Sequence, residues 1–260
     1  MNIITVFNYP DDDKYNIMFK IWLLQAIKCK NETPGIKNVK ILTEGLNETL
    51  IKFVNLLNYD FIKIECRKRK KLNNVPQRWL HNVGFKLYNI CLESNPFIFV
   101  DADAIIMTDM NDVIKASKDK PYICVNHQTI PKHTDKFNFK FMNTGFFVVS
   151  DTTFLDFDKI YNSPQVFRCP GTDQYLLNNY CKYIKYDYTH ELVHYGWNSC
   201  GGYKKIIDNK IYSDNLPEKH QVHILHYWDV FKPWITFCPI YKGLEMKYHL
   251  LGKNLGDNTI

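Results

Sequence analysis

The sequence predicts an α/β fold in which a central, mostly parallel sheet is flanked by helices, and three observations carry this. Short β-branched and aromatic runs alternate with segments of helical apolar spacing through the first half of the chain, the order that generates parallel strands joined by crossover helices. The run FIFV at 97–100 is apolar throughout and stops abruptly at charge, as a strand buried on both faces does. With 260 residues, 45% of them hydrophobic and 23% charged, the chain can enclose a large core.

Residues 3–8 (IITVFN) read as the first strand. Between 14 and 28, Ile17, Ile21, Leu24 and Lys28 recur at helical spacing, and Trp22 and Leu23 widen the apolar side. KNVKIL (37–42) follows as a strand, 47–57 as a helix and DFIKIEC (60–66) as a third strand. Residues 78–93 read as a helix with Val83, Leu87 and Ile90 on one face, and MNDVIKAS (110–117) as a short helix begun near Asp109 or Asn111. In the second half FMNTGFFVVS (141–150) reads as a strand with Asn143 and Gly145 near its start. Residues 151–161 and 172–180 read as helical, and HQVHILHYW (220–228) is strand-like with His223 and His226 near its end. No repeat, low-complexity tract or linker interrupts the pattern, so a single domain over 1–260 is expected.

Composition narrows the function. The net charge of +6 comes largely from CRKRKK at 66–71 with Lys63 nearby. That run reads as a solvated loop, with a phosphate-facing role as the sharper alternative. No nucleic-acid-binding motif accompanies it, so nucleic acid is not expected as a partner. Eight scattered cysteines without a CxxC pair read as reduced thiols rather than a zinc site. With neither a signal peptide nor an apolar run able to span a bilayer, a cytoplasmic location with at most peripheral membrane contact is expected.

The chemistry centres on Asp101 and Asp103, at the carboxyl end of the 97–100 strand, where ligands of doubly wound sheets bind. Two ionised carboxylates there repel each other and resist desolvation, so a cation is expected between them. One reading is a metal–diphosphate site, in which the ion bridges the phosphates of a nucleotide. The other is a phosphohydrolase with an aspartate nucleophile. The second expects Thr or Val soon after the second Asp, a downstream acidic pair and a motif near the N-terminus. Here Ile105 follows Ala104, no suitable pair appears and the motif arrives after several elements. LHYWDVFKPW (225–234) favours the first. His226 could complete an Asp/Asp/His metal site, and Lys232 could donate to a phosphate. Neutral imidazole suits Mn²⁺ better than Mg²⁺.

TVFNY, FKLYN, FVDADAIIMTDMNDV, FMNTGFFVV, GTDQYLLN and ILHYWDVFKPW occur in this order. Together they cover most of the chain, and in them it resembles glycosyltransferase family 8, the retaining transferases that include glycogenin-like and bacterial lipopolysaccharide enzymes. The resemblance implies a GT-A fold, with 1–107 as the nucleotide- and metal-binding half and 108–260 as the sugar- and acceptor-binding half. It implies a UDP-sugar donor and Mn²⁺ (Mg²⁺ as the alternative) on Asp101, Asp103 and His226. Phe7, Asn8, Tyr9, Arg78, Lys86, Asp101, Ala102 and Lys232 would meet the nucleotide and its phosphates, and Asn143, Asp173 and Gln174 the sugar and the catalytic face. A protein, glycan or lipid-linked hydroxyl would accept the sugar, and family members are often homodimers.

Three features depart from the family pattern. Asp229 stands where a glycine commonly approaches the diphosphate, and Pro170 and Gly171 replace an acid before Asp173 and Gln174. Tyr195 and Tyr203 are the nearest candidates for self-glycosylation, in poorly matching surroundings. Two other functions compete with transfer. A UDP-sugar-binding protein that has lost turnover is favoured by Asp229 alone. A sugar nucleotidylyltransferase would need a Gly-rich basic loop after the first strand, where NYPDDDKYN has three acids and no glycine.

Overall fold

The computed structural model describes residues 1–8, 11–73, 75, 80–126, 141–164, 172–200, 205–207, 210–212, 221–227, 232–233 and 239–255. Four strands, β1 (Asn2–Val6), β2 (Asn38–Thr43), β3 (Ile62–Cys66) and β4 (Phe97–Val100), lie parallel in the order β3-β2-β1-β4. The connections are α1 (Asp13–Glu32), α2 (Glu48–Leu57) and a π-helix, His81–Leu87, that runs into α3 (Tyr88–Cys91). β5 (Ala104–Ile106) and α4 (Asn111–Ala116) precede β6 (Tyr122–Asn126) and β7 (Met142–Val149). β7 joins β4 antiparallel and β6 closes that edge, giving a six-stranded mixed sheet, β3-β2-β1-β4-β7-β6. This is the predicted α/β architecture with one strand, β7, reversed against the other five. A fully buried run such as FFVV reads identically in either direction.

α5 (Phe157–Tyr161) and α6 (Asp173–Tyr183) follow, then a 3₁₀ turn at Tyr195–Asn198 and β8 (Ser199–Cys200). The hairpin strands β9 (Lys205–Ile207) and β10 (Lys210–Tyr212), β11 (Ile224–His226) and α7 (Pro239–Leu255) complete the chain. The predicted single helix at 151–161 is instead a 3₁₀ turn, Thr152–Phe154, followed by α5. Asp151 and Asp156 each cap a separate start, accepting from Thr153 N–H and Lys159 N–H.

Period-two alternation divides the core across the sheet. Ile3, Ile98 and Val148 face one layer with α1 and α2, whereas Ile4, Phe99 and Phe147 face the other with the π-helix and α6. α1 is buried over more than its predicted stripe: Met18, Phe19, Ile21, Trp22 and Leu23 are all buried, while Lys28 is exposed. The helix touches β2, β5 and α7, so it has little solvent face. Two of the acids in NYPDDDKYN start it: Asp12 caps it by accepting from Lys14 N–H and Tyr15 N–H, and Asp13 sits in its first turn.

The basic run is a largely exposed loop, as expected, with three of its cations paired across the fold. The Arg67 guanidinium reaches Glu65 and, at 3.1 Å, Glu93; Arg69 pairs with Glu44; and Lys70 pairs with Asp158 at 2.9 Å while lying over the Phe157 ring. Glu93, with its side chain 1% exposed, also binds Lys40 at 2.7 Å. Removing Glu93 leaves Lys40 and Arg67 sharing Glu65 alone, two half-buried cations on one carboxylate. Glu93→Ala is therefore expected to cost about 3–5 kcal/mol, read as a lowered midpoint in denaturant; a loss below about 1 kcal/mol, within the range of an exposed pair, would contradict it.

Candidate metal and nucleotide site

FVDADAII is not one strand but two, folded back at the acids. Ala104 N–H donates to Asp101 O at 3.0 Å, closing a turn over Asp101, Ala102 and Asp103. β5 then leaves the main sheet and pairs antiparallel with β11 in a small sheet ordered β5-β11-β8. In this register His226 lies opposite Ala104. Asp101 N–H donates to Gly145 O, and Tyr227 N–H donates to Asp103 O, both at 2.9 Å. The turn is thereby pinned to both sheets.

One ligand atom from each of Asp101, Asp103 and His226 lies within 4.8 Å of the others, the one such cluster of three among the described residues. His226 Nε2 stands 3.2 Å from Asp103 Oδ1 and 3.6 Å from Asp101 Oδ2. Two carboxylates and an imidazole are a donor set that fits Mn²⁺ or Mg²⁺.

Lysines balance the carboxylates from either side. Lys86, carried by the π-helix, lies 2.8 Å from Asp101 Oδ1 and 2.9 Å from Asp173 Oδ2, and donates to Thr144 O at 3.2 Å. Lys232 contacts Asp103 Oδ2 and sits over the Tyr15 ring. Burial alone would lower the Lys86 pKa, but Asp101 and Asp173 outweigh it and raise it. Burial raises the Asp101 pKa, only partly offset by Lys86, with Asp103 pushing the same way as burial. For Asp103 burial also acts upward, but His226 and Lys232 outweigh it and hold the carboxyl below its ordinary range. The two acids thus differ electrostatically, and Asp103 is the more firmly ionised.

The MNTG stretch supplies the opposite wall through a break in strand pairing. On β6, Cys124 pairs with Phe147 but the next residue, Val125, pairs with Asn143, so residues 144–146 bulge out of that ladder. The bulge turns Thr144 O to Lys86, and Thr144 N–H donates to Gln174 Oε1 at 3.3 Å. Thr144 Oγ1 donates to Asp173 Oδ2 at 2.9 Å. Asp173 and Gln174 open α6, whose Thr172 cap accepts from Tyr175 N–H.

Lys86, Asp101, Ala102, Asp103, Asn143, Asp173, Gln174 and His226 all line one cavity of about 380 Å³. Phe7 and Asn8 stand elsewhere. The Phe7 ring is buried in the core, 4.4 Å from that of Phe19, so its side chain does not face the cavity. Asn8 exchanges hydrogen bonds with Glu44, accepting at 2.7 Å and donating at 3.0 Å, beside a separate depression. Tyr9, Arg78, Pro170, Gly171, Tyr203 and Asp229 lie outside the described residues.

Sequence reading missed Tyr15, His81, Asn82 and Tyr175 in the cavity wall. Asn82 was within reach, since it stands one helical turn before Lys86. Burial, reinforced by Arg69 and Lys86, lowers the His81 pKa to about 4, so the ring is neutral at pH 7.

No family model matches this sequence, and no curated protein matches it. Solved structures do. Galactosyltransferase LgtC, in complex with donor and acceptor sugar analogues, superposes with a TM-score of 0.63 at 13% identity over 97% of this chain and 96% of its own. The glycosyltransferase GlyE of Streptococcus pneumoniae TIGR4 gives 0.60 at 12% identity, over 98% of this chain and 64% of its own. Mouse xyloside xylosyltransferase 1 gives 0.57 at 10% identity, over 87% and 97%. The fold is thus the GT-A fold of glycosyltransferases.

Proposed function

We propose that this chain is a metal-dependent retaining glycosyltransferase of the family 8 type, moving a hexose or N-acetylhexosamine from a UDP-sugar to a hydroxyl of a protein, glycan or lipid-linked acceptor. The observation that carries the reading is the convergence of Asp101, Asp103 and His226 with Lys86 and Lys232 at the strand ends of a GT-A fold. Asp101, Asp103 and His226 would hold Mn²⁺, with Mg²⁺ the alternative. The bound ion would supply charge stabilisation to the departing diphosphate. Lys232, in contact with Asp103, would donate to the same phosphates.

Asp173 Oδ2 is already held by Lys86 and Thr144, which suits an acceptor for sugar hydroxyls better than an unencumbered nucleophile. Gln174, its oxygen on Thr144 N–H, can offer amide hydrogens to the sugar. Retention is then best served by attack on the face the phosphate leaves, the acceptor proton passing to the leaving phosphate oxygen as the glycosidic bond forms. No helix among the described residues is long and apolar enough to cross a membrane.

The test is UDP release from a panel of UDP-sugars, with and without Mn²⁺ and without acceptor, since slow transfer to water reports donor choice. Metal-dependent release from one sugar is expected. UDP binding with no release from any sugar, acceptors included, would favour the binding-protein reading instead.

A further inference from the structure

We infer that Asn198, which lies in no recognised motif of the chain, is the positioning residue that decides which nitrogen of His226 meets the two aspartates; the inference rests on the metal site proposed above. It follows from a chain of hydrogen bonds whose atom types can be assigned in turn. Gly145 N–H can only donate, and it lies 2.9 Å from Asn143 Oδ1, so that atom is the amide oxygen. The same oxygen is 2.8 Å from the side-chain nitrogen of Asn198, which must donate to it. The Asn198 oxygen therefore faces His226, 2.9 Å from Nδ1. Since an amide oxygen only accepts, Nδ1 must carry hydrogen, and Nε2 is the ring nitrogen turned to Asp101 and Asp103.

The surroundings hold this arrangement rigidly. Asn198 is 2% exposed and ends the 3₁₀ turn that leads into β8, the strand paired with β11 beside His226. Its neighbour Trp197 stacks on His223 at 4.1 Å and on Phe146 at 5.6 Å. The imidazole also rests on the β7 bulge. A Cβ at Gly145 would come within 2.0 Å of His226 Cε1 and 2.3 Å of Nδ1, so only glycine admits the ring there. Gly145 thus sets the depth of the ring and Asn198 sets its hydrogen. Asn143, expected at the sugar and catalytic face, has its side-chain oxygen engaged in the same relay.

With hydrogen held on Nδ1, the Nε2 lone pair is the one presented to a cation. With hydrogen on Nε2 alone, the ligand is lost. Partners of this kind typically change metal affinity 10–100-fold.

The experiment measures Mn²⁺ affinity without nucleotide, by the electron paramagnetic resonance of free Mn²⁺, for the wild type, Asn198→Leu and Asn198→Asp. Asn198→Leu, similar in size but unable to accept, is expected to bind at least about tenfold more weakly. Asn198→Asp keeps an acceptor for Nδ1–H while giving up the hydrogen bond to the Asn143 oxygen, and is expected to lose clearly less affinity than Asn198→Leu. Equal losses in both variants, or none in Asn198→Leu, would overturn the inference. Absence of Mn²⁺ binding by the wild type would instead remove the metal reading, and this inference with it. The ¹⁵N resonances of the His226 ring in metal-free wild type give a readout that needs no variant: Nδ1 is expected to carry hydrogen, and a bare Nδ1 would overturn the assignment.

Discussion

Asp103→Asn is expected to lower Mn²⁺-dependent cleavage of the donor by about 10²–10⁴-fold while leaving the protein folded. Metal stabilisation of developing charge contributes several kcal/mol, and each 1.36 kcal/mol is about tenfold in rate. Asp103 is the acid on which this loss should fall hardest. It is held ionised by His226 and Lys232 against the cost of burial, whereas burial and its neighbour push Asp101 toward the neutral form. Asparagine keeps the shape, and its oxygen can still accept from Lys232, so the turn between β4 and β5 should survive. Initial rates of UDP release at saturating Mn²⁺, with circular dichroism as the control for folding, make the comparison. A folded variant within threefold of wild type would show that Asp103 does not hold the ion.

Lys86→Met should be the more damaging change to stability. Lys86 is 7% exposed and lies under 3 Å from both Asp101 and Asp173; methionine fills similar space but leaves two carboxylates facing each other without their cation. The expected loss at pH 7 is about 3–5 kcal/mol, the cost of breaking a buried pair. The sign of its pH dependence is characteristic. Without Lys86, Asp101 loses its main ionising influence, so its folded pKa rises further above the unfolded value. The folded state then binds the extra proton, and stability grows as pH falls toward that raised pKa. The deficit of the variant relative to wild type should therefore narrow between pH 7 and pH 5 in urea titrations. A deficit constant across that range would contradict the pairing.

Both changes act at residues legible before any coordinates. The strand FIFV, the acids after it and the strand-terminal His226 were readable because a buried parallel strand and a repelling carboxylate pair leave local signatures. What joined them was not. The fold-back at Ala102, which separates β4 from β5, is invisible in FVDADAII, because both strands are apolar and the turn needs neither Gly nor Pro. The direction of β7 was equally hidden, and its bulge is a tertiary consequence of pairing with β6 and β4. Asn198 lies in GWNSC, a stretch with no periodic signal, and its importance comes from a contact 28 residues away along the chain. The pairing within the basic run was hidden for a related reason: its partners Glu44, Glu93 and Asp158 are brought in by the sheet and by α5, not by sequence proximity.

His81 and Tyr15 show the same limit at the cavity wall. Each sits near the start of a helix and would pass for a surface residue on periodicity alone. The π-helix His81–Leu87 brings His81, Asn82 and Lys86 to one cavity; wide turns of this kind are common at functional sites, yet HNVGFKL carries no propensity signal for one.

The measurement that tests the account most directly is calorimetric titration of UDP into the wild-type protein, once with Mn²⁺ and once with a chelator. The paired carboxylates, His226 and Lys232 predict one UDP site per chain whose affinity falls at least about tenfold when Mn²⁺ is removed, the loss expected when a bridging cation no longer neutralises the phosphates. UDP binding of equal strength in both titrations, or no binding in either, would contradict the assignment of Asp101, Asp103 and His226 as the centre of a nucleotide-sugar site.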